Sequence, residues 1–367
     1  MTIQAPAQSQ PLPDEAFQGY AIHDTAKWDE FTVTSAKPKP IGPHDVDIKI
    51  HFCGVCASDI HTITGGWGKP RLPVIPGHEI VGVVAHVGPE VTTAKVGDRV
   101  GVGAQVSACL ECHKCKNGNE QHCSKCVYTY NSVYPDGTVS QGGYATAIRV
   151  HEHFAFPIPD SMKLEEAACF FCAGLTVFSP LKRYGAGPGK RVGLVGLGGL
   201  GHFTLQFARA LGCEEVVAFS HSSRKKEDAM KLGATKFVET SQEGFEKPLK
   251  GTLDLIICTA NVSAGLPLNE LCTTLDVGGK MIIVALPDDA LPPIKAATLA
   301  VGGILIGGSS LGSRAECLEM LEVAAKHNVK PWIEILPMKD ASKAVNNLHN
   351  GQVRYRQVLK QDIDPVN

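Results

Sequence analysis

Residues 191–201 read RVGLVGLGGLG, an apolar run that ends in glycines at Gly196, Gly198 and Gly201. The helical pattern HFTLQFARALG follows at once, and the next apolar run, EVVAFS, begins at Glu215. In such a unit the first glycine permits a tight turn, the second lets the backbone approach a pyrophosphate, and the third lets helix and strand pack closely. The order of strand, glycines and helix therefore predicts a dinucleotide bound at the helix N-terminus.

The sequence on either side of this turn is of two types. After Leu164, apolar runs such as DLIICTA and KMIIVALP alternate with amphipathic stretches, the rhythm of parallel βα repeats. Before Leu164, short Val- and Ile-rich runs such as VDIKIHFCGV and HEIVGVVAHVG are separated by Gly, Pro and Asp. We therefore expect an α/β fold with a β-rich domain and a doubly wound parallel sheet. The segment from Arg314 carries helix and strand patterns that fit either domain.

The end of the second strand of the repeat indicates which dinucleotide binds. Enzymes that use NAD usually place an acid there for the ribose 2′-hydroxyl, whereas a 2′-phosphate needs donors and positive charge. Here the chain reads SHSSRKK, with no acid before Glu227, and NADP(H) is the expected cofactor. Serines that only cap the next helix are the alternative interpretation. The predicted cofactor-binding residues are Gly196, Gly198, Gly199, Leu200, Gly201, Ser220, His221, Ser222 and Lys225.

One loop contains a compact group of cysteines. Cys109, Cys112, Cys115 and Cys123 have the spacing C-x2-C-x2-C-x7-C. Four thiolates close a tetrahedral zinc site, and their excess negative charge quenches Lewis acidity, so such a metal holds a loop. A ferredoxin-type iron–sulfur motif ends in C-x3-C instead. The spacing predicts a structural zinc ion, with Cys126 as a spare thiol.

A second group of candidate ligands is dispersed, and comprises Cys53, Cys56, His78, Glu79, Cys169 and Cys172. Two thiolates, one imidazole and an open position form the ligand set of a zinc ion that polarises an oxygen atom. Free cysteines are also common in protein cores, so spacing alone does not choose among these residues. Ser58 and His61 stand three residues apart and share a face if their turn is helical. In that case they can pass a proton to water.

Composition limits the classes of function. The chain has 367 residues, enough for two domains, and 35 basic against 37 acidic residues give a net charge of −2. This balance argues against nucleic acid or an anionic membrane as the partner and favours a small molecule. There is no basic-then-apolar leader and no run of about 18 apolar residues, so we expect a cytoplasmic protein. Its 13 cysteines should then be free, core-packed or metal-bound.

Several longer motifs occur together in the chain: GVCASDIH, PGHEIVG, CLECHKCKNGNEQHC, VSQGGYA, GLGGLGH, SSRKKEDAMKLGA and VRYR. With them the chain resembles the zinc-dependent medium-chain dehydrogenases, specifically their cinnamyl alcohol dehydrogenase branch, over nearly its whole length. The resemblance implies two zinc ions per subunit and a GroES-like catalytic domain at residues 1–170 and 318–367. It also implies a Rossmann NADP-binding domain at residues 171–317, with the active site in the cleft between the domains.

The resemblance assigns the ligands of the catalytic zinc to Cys56, His78 and Cys172. It implies that Glu79 can approach the metal and exchange for water. Cys53 and Cys169 become core thiols, a choice that the spacing did not make.

The resemblance also assigns the proton relay. Ser58 matches the hydroxyl that touches the substrate oxygen, His61 matches the next relay member, and Asp59 matches the acid that orients His78. Trp67 is predicted to form an aromatic wall of the substrate pocket, and Tyr128 and Tyr130 are further candidates.

Two positions depart from the family pattern. Ala57 stands where many relatives have His or Gly, so a contact from that side chain to the cofactor phosphate is absent. His221 stands where close fungal relatives have Arg, and an imidazole carries less fixed charge than a guanidinium. We expect a preference for NADPH with a weaker grip on the 2′-phosphate.

The activity implied by the resemblance is hydride transfer between NADP(H) and primary alcohols or aldehydes, both aromatic, such as cinnamaldehyde, and medium-chain aliphatic. A zinc polyol dehydrogenase is one alternative, although its relatives usually carry an acid after the second strand and bind NAD. A catalytically silent NADPH-sensing or quinone-binding relative is another, although it would lose the ligands Cys56, His78 and Cys172. A homodimer is implied as well, paired through the edge strand VGGILIGGSS.

Overall fold

The computed structural model describes residues 17–363. Within this range the chain forms two compact units. A β-rich unit comprises residues 17–171 and 333–363, and an α/β unit comprises residues 172–332.

The first segment of the β-rich unit is made of short strands and three short helices. Its strands are β1 (Phe17–Ala21), β2 (Thr32–Ala36), β3 (Asp45–Val55), β4 (Glu79–Val87), β5 (Arg99–Val102), β6 (Gln105–Ser107), β7 (Val127–Tyr128), β8 (Ala147–His151) and β9 (Phe156–Pro157). Its helices are α1 (Ala57–Ile63), α2 (His113–Lys116) and α3 (Leu164–Ala167).

The α/β unit alternates helices and strands along the chain. Its helices are α4 (Ala173–Arg183), α5 (Gly201–Ala210), α6 (Lys226–Lys231), α7 (Leu268–Thr273), α8 (Ala296–Gly302) and α9 (Arg314–His327). Its strands are β10 (Arg191–Val195), β11 (Glu215–Ser220), β12 (Lys236–Glu239), β13 (Leu253–Cys258), β14 (Leu275–Ile283) and β15 (Leu305–Gly308).

The C-terminal segment completes the main sheet of the β-rich unit. It contains β16 (Ile333–Pro337), α10 (Ala341–His349) and β17 (Arg356–Lys360). The sheet has seven strands, with the order β16-β17-β3-β4-β5-β9 and with β8 paired to β3. β17 lies antiparallel to β3, so residues from the two ends of the chain are neighbours in one sheet.

β3 is the central strand of this sheet, and its length and composition explain why. Most of its residues are buried, which suits a run rich in β-branched side chains. Val46, Ile48 and Ile50 belong to one hydrophobic core together with residues of β4, β8 and β17. Because the core draws on both chain segments, the C-terminal residues are part of the β-rich unit's folding core.

The sheet of the α/β unit has six parallel strands in the order β12-β11-β10-β13-β14-β15. β10 and β13 are almost entirely buried, as their near-continuous apolar sequences predict. The strand order reverses between β10 and β13, and the glycine turn follows β10 at that point. This is the doubly wound arrangement predicted from the sequence, and ligands bind such sheets at the reversal.

The second boundary between the two units lies later in the chain than the sequence predicts. Helix α9 is capped by Ser313, whose hydroxyl accepts from the Glu316 backbone N–H, and it packs against α4 and α5. The Arg183 side chain of α4 pairs with Glu316, which fixes α9 to the α/β unit. The predicted return at residue 318 falls inside this helix, and the chain returns to the β-rich unit only at Ile333. The first boundary differs from the predicted one by a single residue.

Among residues 17–363, no single helix is both long enough and apolar enough to cross a bilayer. One bent pair of short helices, Leu164–Phe171 with Ala173–Arg183, passes that test only when both are counted together.

A buried ion pair ties β3 to β8. Arg149 donates from Nε to Asp47 Oδ1 at 2.6 Å and from Nη2 to Oδ2 at 3.0 Å, and both side chains are almost fully buried. A third donor, Nη1, reaches the Lys39 carbonyl at 2.8 Å. The pair is bidentate, so each carboxylate oxygen has a donor within this part of the sheet.

Replacing Arg149 by Met should destabilise the protein by about 3–5 kcal/mol, because the Asp47 carboxylate stays buried without its counter-charge. Urea denaturation followed by circular dichroism measures the change. The matched control is Lys27→Met, which breaks the exposed Lys27–Glu30 pair and should leave the transition where it is. An unfolding curve for Arg149→Met that superimposes on the wild-type curve contradicts the assignment.

Candidate metal centres and dinucleotide site

A buried cluster of four potential metal ligands forms from the dispersed group of the sequence. Cys56, His78, Glu79 and Cys172 each offer one ligand atom, and these atoms all lie within 4.8 Å of one another. All four residues are buried. Two thiols, an imidazole and a carboxylate form the donor set expected for zinc.

Cys53 and Cys169 are also buried but lie outside this cluster. Cys53 packs in the core of the β-rich unit, and burial raises the pKa of its thiol well above the usual range. Burial likewise raises the pKa of Cys169 to about 12. Thiols with such pKa values stay protonated at neutral pH, which agrees with their role as core thiols.

Adjacent strands bring three of the four cluster residues to one end of the sheet. Cys56 follows β3 and is the N-cap residue of α1, while Glu79 opens β4 directly after His78. In the register of the two strands, Gly54 lies opposite Glu79. A Cβ atom at residue 54 would overlap Glu79 Oε2, so the glycine leaves room for the carboxylate.

Asp59 organises the surroundings of the cluster. Its side chain is fully buried, and its Oδ1 accepts from the Gly77 N–H at 3.0 Å and from His78 Nδ1 at 3.1 Å. Its Oδ2 accepts from the Cys56 N–H at 2.9 Å and from the Tyr144 hydroxyl at 3.4 Å. Because Nδ1 of His78 donates to a carboxylate, its Nε2 is the nitrogen available to a metal.

The charge of Asp59 also governs the ionisation of His78. Burial lowers the pKa of the imidazole, but the nearby Asp59 carboxylate outweighs burial and holds the pKa well above its ordinary value. The imidazole therefore holds its proton more strongly than a free histidine does, and the hydrogen bond from Nδ1 to Asp59 Oδ1 orients the ring.

Glu79 has one satisfied and one unsatisfied carboxylate oxygen. Arg356 of β17 donates from Nη2 to Glu79 Oε1, whereas Oε2 has no hydrogen-bond partner among the residues described. Burial raises the pKa of Glu79 to about 7, although Arg356 acts in the opposite direction. A buried carboxylate oxygen without a donor, beside two thiols and an imidazole, is a position that a divalent cation satisfies. The cluster thus fits zinc.

The predicted relay residues lie on α1. Ser58 Oγ is 3.7 Å from Cys56 Sγ, so its hydroxyl borders the cluster. His61 lies one turn further along the helix, and its ring stacks on Trp67 with centroids 4.8 Å apart and an interplanar angle of 8°. The helical turn assumed from the sequence is present, so Ser58 and His61 do share a helix face.

The two tyrosines considered for the substrate pocket lie in different surroundings. Tyr128 is mostly exposed, whereas Tyr130 is buried with its ring 5.7 Å from that of His78. Burial raises the pKa of Tyr130 well above the usual range, and the Asp59 carboxylate raises it further through charge and through a hydrogen bond. Tyr130 therefore supports Asp59.

Sequence reasoning gave no role to Tyr144 or Arg356, which the structure places against Asp59 and Glu79. Both residues lie inside the motifs VSQGGYA and VRYR. The only signal for them was membership of those motifs, because their partners are far away along the chain.

The compact cysteine group also assembles as its spacing predicts. The sulfur atoms of Cys109, Cys112, Cys115 and Cys123 all lie within 4.8 Å of one another. The separations are 3.5 Å for Cys112–Cys115 and Cys109–Cys123, 3.9 Å for Cys109–Cys115 and 4.0 Å for Cys112–Cys123. Four sulfurs about 2.3 Å from one zinc ion would stand about 3.8 Å apart, so this loop fits a tetrahedral ion.

Cys126 stays outside the four-cysteine cluster, as predicted. Burial raises the pKa of its thiol to about 12. All 13 cysteines of the chain are free of disulfide bonds.

The glycine turn after β10 has the shape that a dinucleotide requires. Gly196 has φ +91°, and a Cβ there would stand 2.9 Å from the Ala260 backbone nitrogen. A Cβ at Gly201 would overlap the Gly196 carbonyl, so α5 and β10 can approach only at glycine. A Cβ at Gly198 would meet nothing within 4 Å, so its backbone faces open space. Gly201 thus allows the close packing of helix and strand, and Gly198 leaves space for a pyrophosphate, as the glycine pattern predicts.

The segment after β11 supplies donors rather than an acid. Ser220 ends β11, the side chain of His221 is exposed, and Lys225 donates from Nζ to the Leu197 carbonyl at 2.6 Å. Leu197 belongs to the glycine turn, so this hydrogen bond holds a cation beside it. Positive charge next to the turn, with no carboxylate between Ser220 and Lys225, suits a nucleotide with a 2′-phosphate.

Comparisons with known proteins agree with this geometry. Residues 42–160 match the family model for the alcohol dehydrogenase GroES-like domain, and residues 199–326 match that for zinc-binding dehydrogenases. The chain is 44% identical over 349 residues to NADP-dependent alcohol dehydrogenase 6 of Saccharomyces cerevisiae, covering 94% of this chain and 96% of that protein. It is 43% identical over 350 residues to a probable mannitol dehydrogenase of Mesembryanthemum crystallinum, covering 95% of each.

Among solved structures, a cinnamyl alcohol dehydrogenase of Sorghum bicolor superposes with a TM-score of 0.89 at 38% identity, over 94% of this chain and 97% of that one. The predicted combination of a GroES-like domain with a parallel nucleotide-binding sheet is thereby confirmed. The chain belongs to the zinc-binding alcohol dehydrogenase family.

Proposed function

We propose that this protein is a zinc- and NADP(H)-dependent alcohol dehydrogenase that interconverts aldehydes and primary alcohols. The observation that carries the proposal is the buried cluster of Cys56, His78, Glu79 and Cys172, with ligand atoms within 4.8 Å of one another. The overall change is aldehyde plus NADPH plus a proton to alcohol plus NADP+, so each reduction consumes one proton.

Cys56, His78 and Cys172 would hold the catalytic zinc ion, and Asp59 keeps His78 in the required tautomer. When bound, zinc supplies a Lewis acid that polarises the carbonyl group, and NADPH supplies the hydride. Arg356 holds one oxygen of Glu79, so this carboxylate stays next to Cys56, His78 and Cys172.

Ser58 and His61 would handle the proton. In the reducing direction, the Ser58 hydroxyl donates its proton to the substrate oxygen and takes one from His61, which exchanges with water. In the oxidising direction the same atoms carry the proton outward, so rising pH favours alcohol oxidation.

NADP(H) would bind at the glycine turn, with the 2′-phosphate near Ser220, His221, Ser222 and Lys225. The hydrogen bond from Lys225 to the Leu197 carbonyl supports this, because it holds a positive charge beside the turn. The remaining predicted contacts are Gly196, Gly198, Gly199, Leu200 and Gly201.

The proposed substrates are aromatic and medium-chain aliphatic aldehydes and the corresponding alcohols. The likeness to a structure titled as a cinnamyl alcohol dehydrogenase supports this class. Polyol oxidation is the second candidate, because a probable mannitol dehydrogenase is 43% identical. The absence of an acid directly after β11 disfavours the NAD-dependent form of that activity.

We also propose a cytoplasmic location and a homodimer. Thirteen disulfide-free cysteines, eight of which are candidate ligands or core thiols near them, suit a reducing compartment. β15 is an edge strand of the parallel sheet, and Leu305 on this strand and Val301 on the preceding helix α8 are 60% and 88% exposed. A second copy that pairs along this edge would cover them.

The central experiment measures zinc content and turnover together. Elemental analysis should give two zinc ions per subunit, and cinnamaldehyde and hexanal should be reduced with NADPH faster than mannitol is oxidised with NADP+. Cys56→Ser should lose one zinc ion and more than about 100-fold in kcat, because the Lewis acid contributes several kcal/mol.

The matched control for that experiment is Cys126→Ser, which removes a cysteine outside both clusters and should keep both zinc ions and full turnover. Undiminished turnover after chelation to zero zinc would rule out the proposal. Turnover of mannitol alone would favour the polyol dehydrogenase, and nucleotide binding without turnover would favour a silent relative.

Cofactor preference is tested at His221. Wild-type kcat/KM should be higher with NADPH than with NADH. His221→Arg adds an exposed positive charge and should lower KM for NADPH by about two- to fivefold with no effect on KM for NADH. His221→Gln, a neutral control, should not produce this gain. Equal or higher wild-type kcat/KM with NADH would refute the cofactor assignment.

The dimer is tested at its proposed edge. Leu305→Lys should convert a dimer into a monomer in sedimentation velocity, because a charge on β15 opposes strand pairing. Ile335→Lys is the control, since Ile335 is 46% exposed on β16, the edge strand of the other sheet. A monomeric wild-type protein, or a Leu305→Lys dimer with the wild-type dissociation constant, would contradict the proposed dimer.

A further inference from the structure

The loop that follows α1 folds back over the end of the helix. Its sequence is GGWG at residues 65–68, and Gly68 has φ +110°, a conformation that glycine adopts without strain. The Trp67 N–H donates to the His61 carbonyl at 3.3 Å, and the Gly68 N–H donates to the Gly65 carbonyl at 3.0 Å. The backbone thus fixes Trp67 relative to one particular residue of the helix, His61.

The side chains of these two residues form a second contact. The indole and the imidazole are nearly parallel, with an interplanar angle of 8° and centroids 4.8 Å apart. Offset or parallel stacking at this distance is a favourable aromatic arrangement. Two independent contacts, one of backbone and one of side chain, therefore join Trp67 to His61.

The exposure of Trp67 argues against a purely structural role. The residue is 45% exposed, and it does not belong to the hydrophobic core of the β-rich unit. A tryptophan that only fills a core would be largely buried. His61 is itself partly exposed, and the indole covers one face of its ring.

We propose that Trp67 is a positioning residue that holds the imidazole of His61 in the orientation needed to exchange a proton with Ser58. The inference rests on the proposed function, because it needs His61 to act as the second member of the relay. The Thr62 hydroxyl donates to the Ser58 backbone carbonyl at 3.0 Å, and the Ser58 hydroxyl oxygen lies 3.7 Å from Cys56 Sγ. Proton transfer demands donor and acceptor within about 2.6–3.2 Å, so a loose imidazole is a poor partner.

This role differs measurably from that of a substrate wall. A wall contacts the substrate, so its removal raises KM, and more for a large aldehyde than for a small one. A residue that orients His61 affects proton transfer, so its removal lowers kcat to a similar extent for all substrates. The two roles also differ in what happens when His61 is absent, because a positioning residue then has nothing left to orient.

The experiment is a double-mutant cycle with two substrates. Trp67→Leu, Trp67→Tyr, His61→Gln and the double variant Trp67→Leu/His61→Gln are assayed with hexanal and cinnamaldehyde and saturating NADPH. Zinc content and the thermal midpoint of each variant are measured alongside. We expect His61→Gln to lower kcat, and Trp67→Leu to lower kcat by about tenfold for both aldehydes with little change in KM.

The conservative and double variants give the decisive readings. Trp67→Tyr keeps an aromatic face and should retain kcat within about twofold of wild type. The double variant should match His61→Gln within about twofold, because two residues that act through one group are not additive. Zinc content should be unchanged throughout, since neither residue belongs to a metal cluster.

Four results would overturn the inference while leaving the proposed function intact. The first is a Trp67→Leu effect confined to KM for cinnamaldehyde, and the second is a double variant whose loss of kcat is the product of the two single losses. The third is a Trp67→Tyr variant with kcat as low as that of Trp67→Leu, and the fourth is a His61→Gln variant with the kcat of wild type. Absence of aldehyde reduction by zinc-loaded wild-type protein would overturn both the inference and the proposed function.

Discussion

The buried carboxylate of Asp59 is the constraint on which the candidate active site depends. One side chain receives the Cys56 and Gly77 N–H groups, the His78 imidazole and the Tyr144 hydroxyl. Asp59 therefore stabilises the first turn of α1 through Cys56 and the turn before β4 through Gly77. It also orients the imidazole of His78. A buried charge is tolerable only when it is surrounded by donors, so these groups must stay together for the unit to remain folded.

What the sequence could predict follows from how local each interaction is. The glycine turn after β10 and the four-cysteine loop are short segments whose spacing encodes their geometry, and the structure has both. The buried parallel strands could also be predicted from the sequence, because their apolar runs reflect burial on both faces. The dispersed ligands could not be predicted from spacing alone, because spacing did not distinguish Cys169 from Cys172. The family resemblance supplied that choice.

The remaining features depend on contacts between distant parts of the chain. The pattern of α9 fits either unit, and only its packing on α4 through Arg183 and Glu316 assigns it to the second. Arg356 contacts Glu79 from the other end of the chain, and no periodic pattern in the sequence indicates this pair. Such pairs arise from sheet topology, here the addition of β17 beside β3, and topology is the level at which single-sequence reasoning is weakest.

The absence of a side chain at Gly54 has an evolutionary consequence. The space that a methyl group would fill at this position belongs to the carboxylate of Glu79 on the neighbouring strand. A lineage that acquired alanine here would have to expel the acid from beside the cysteines or separate the two strands. Alanine at residue 54 therefore fits the present strand register only when the acid at residue 79 is shorter or turned away.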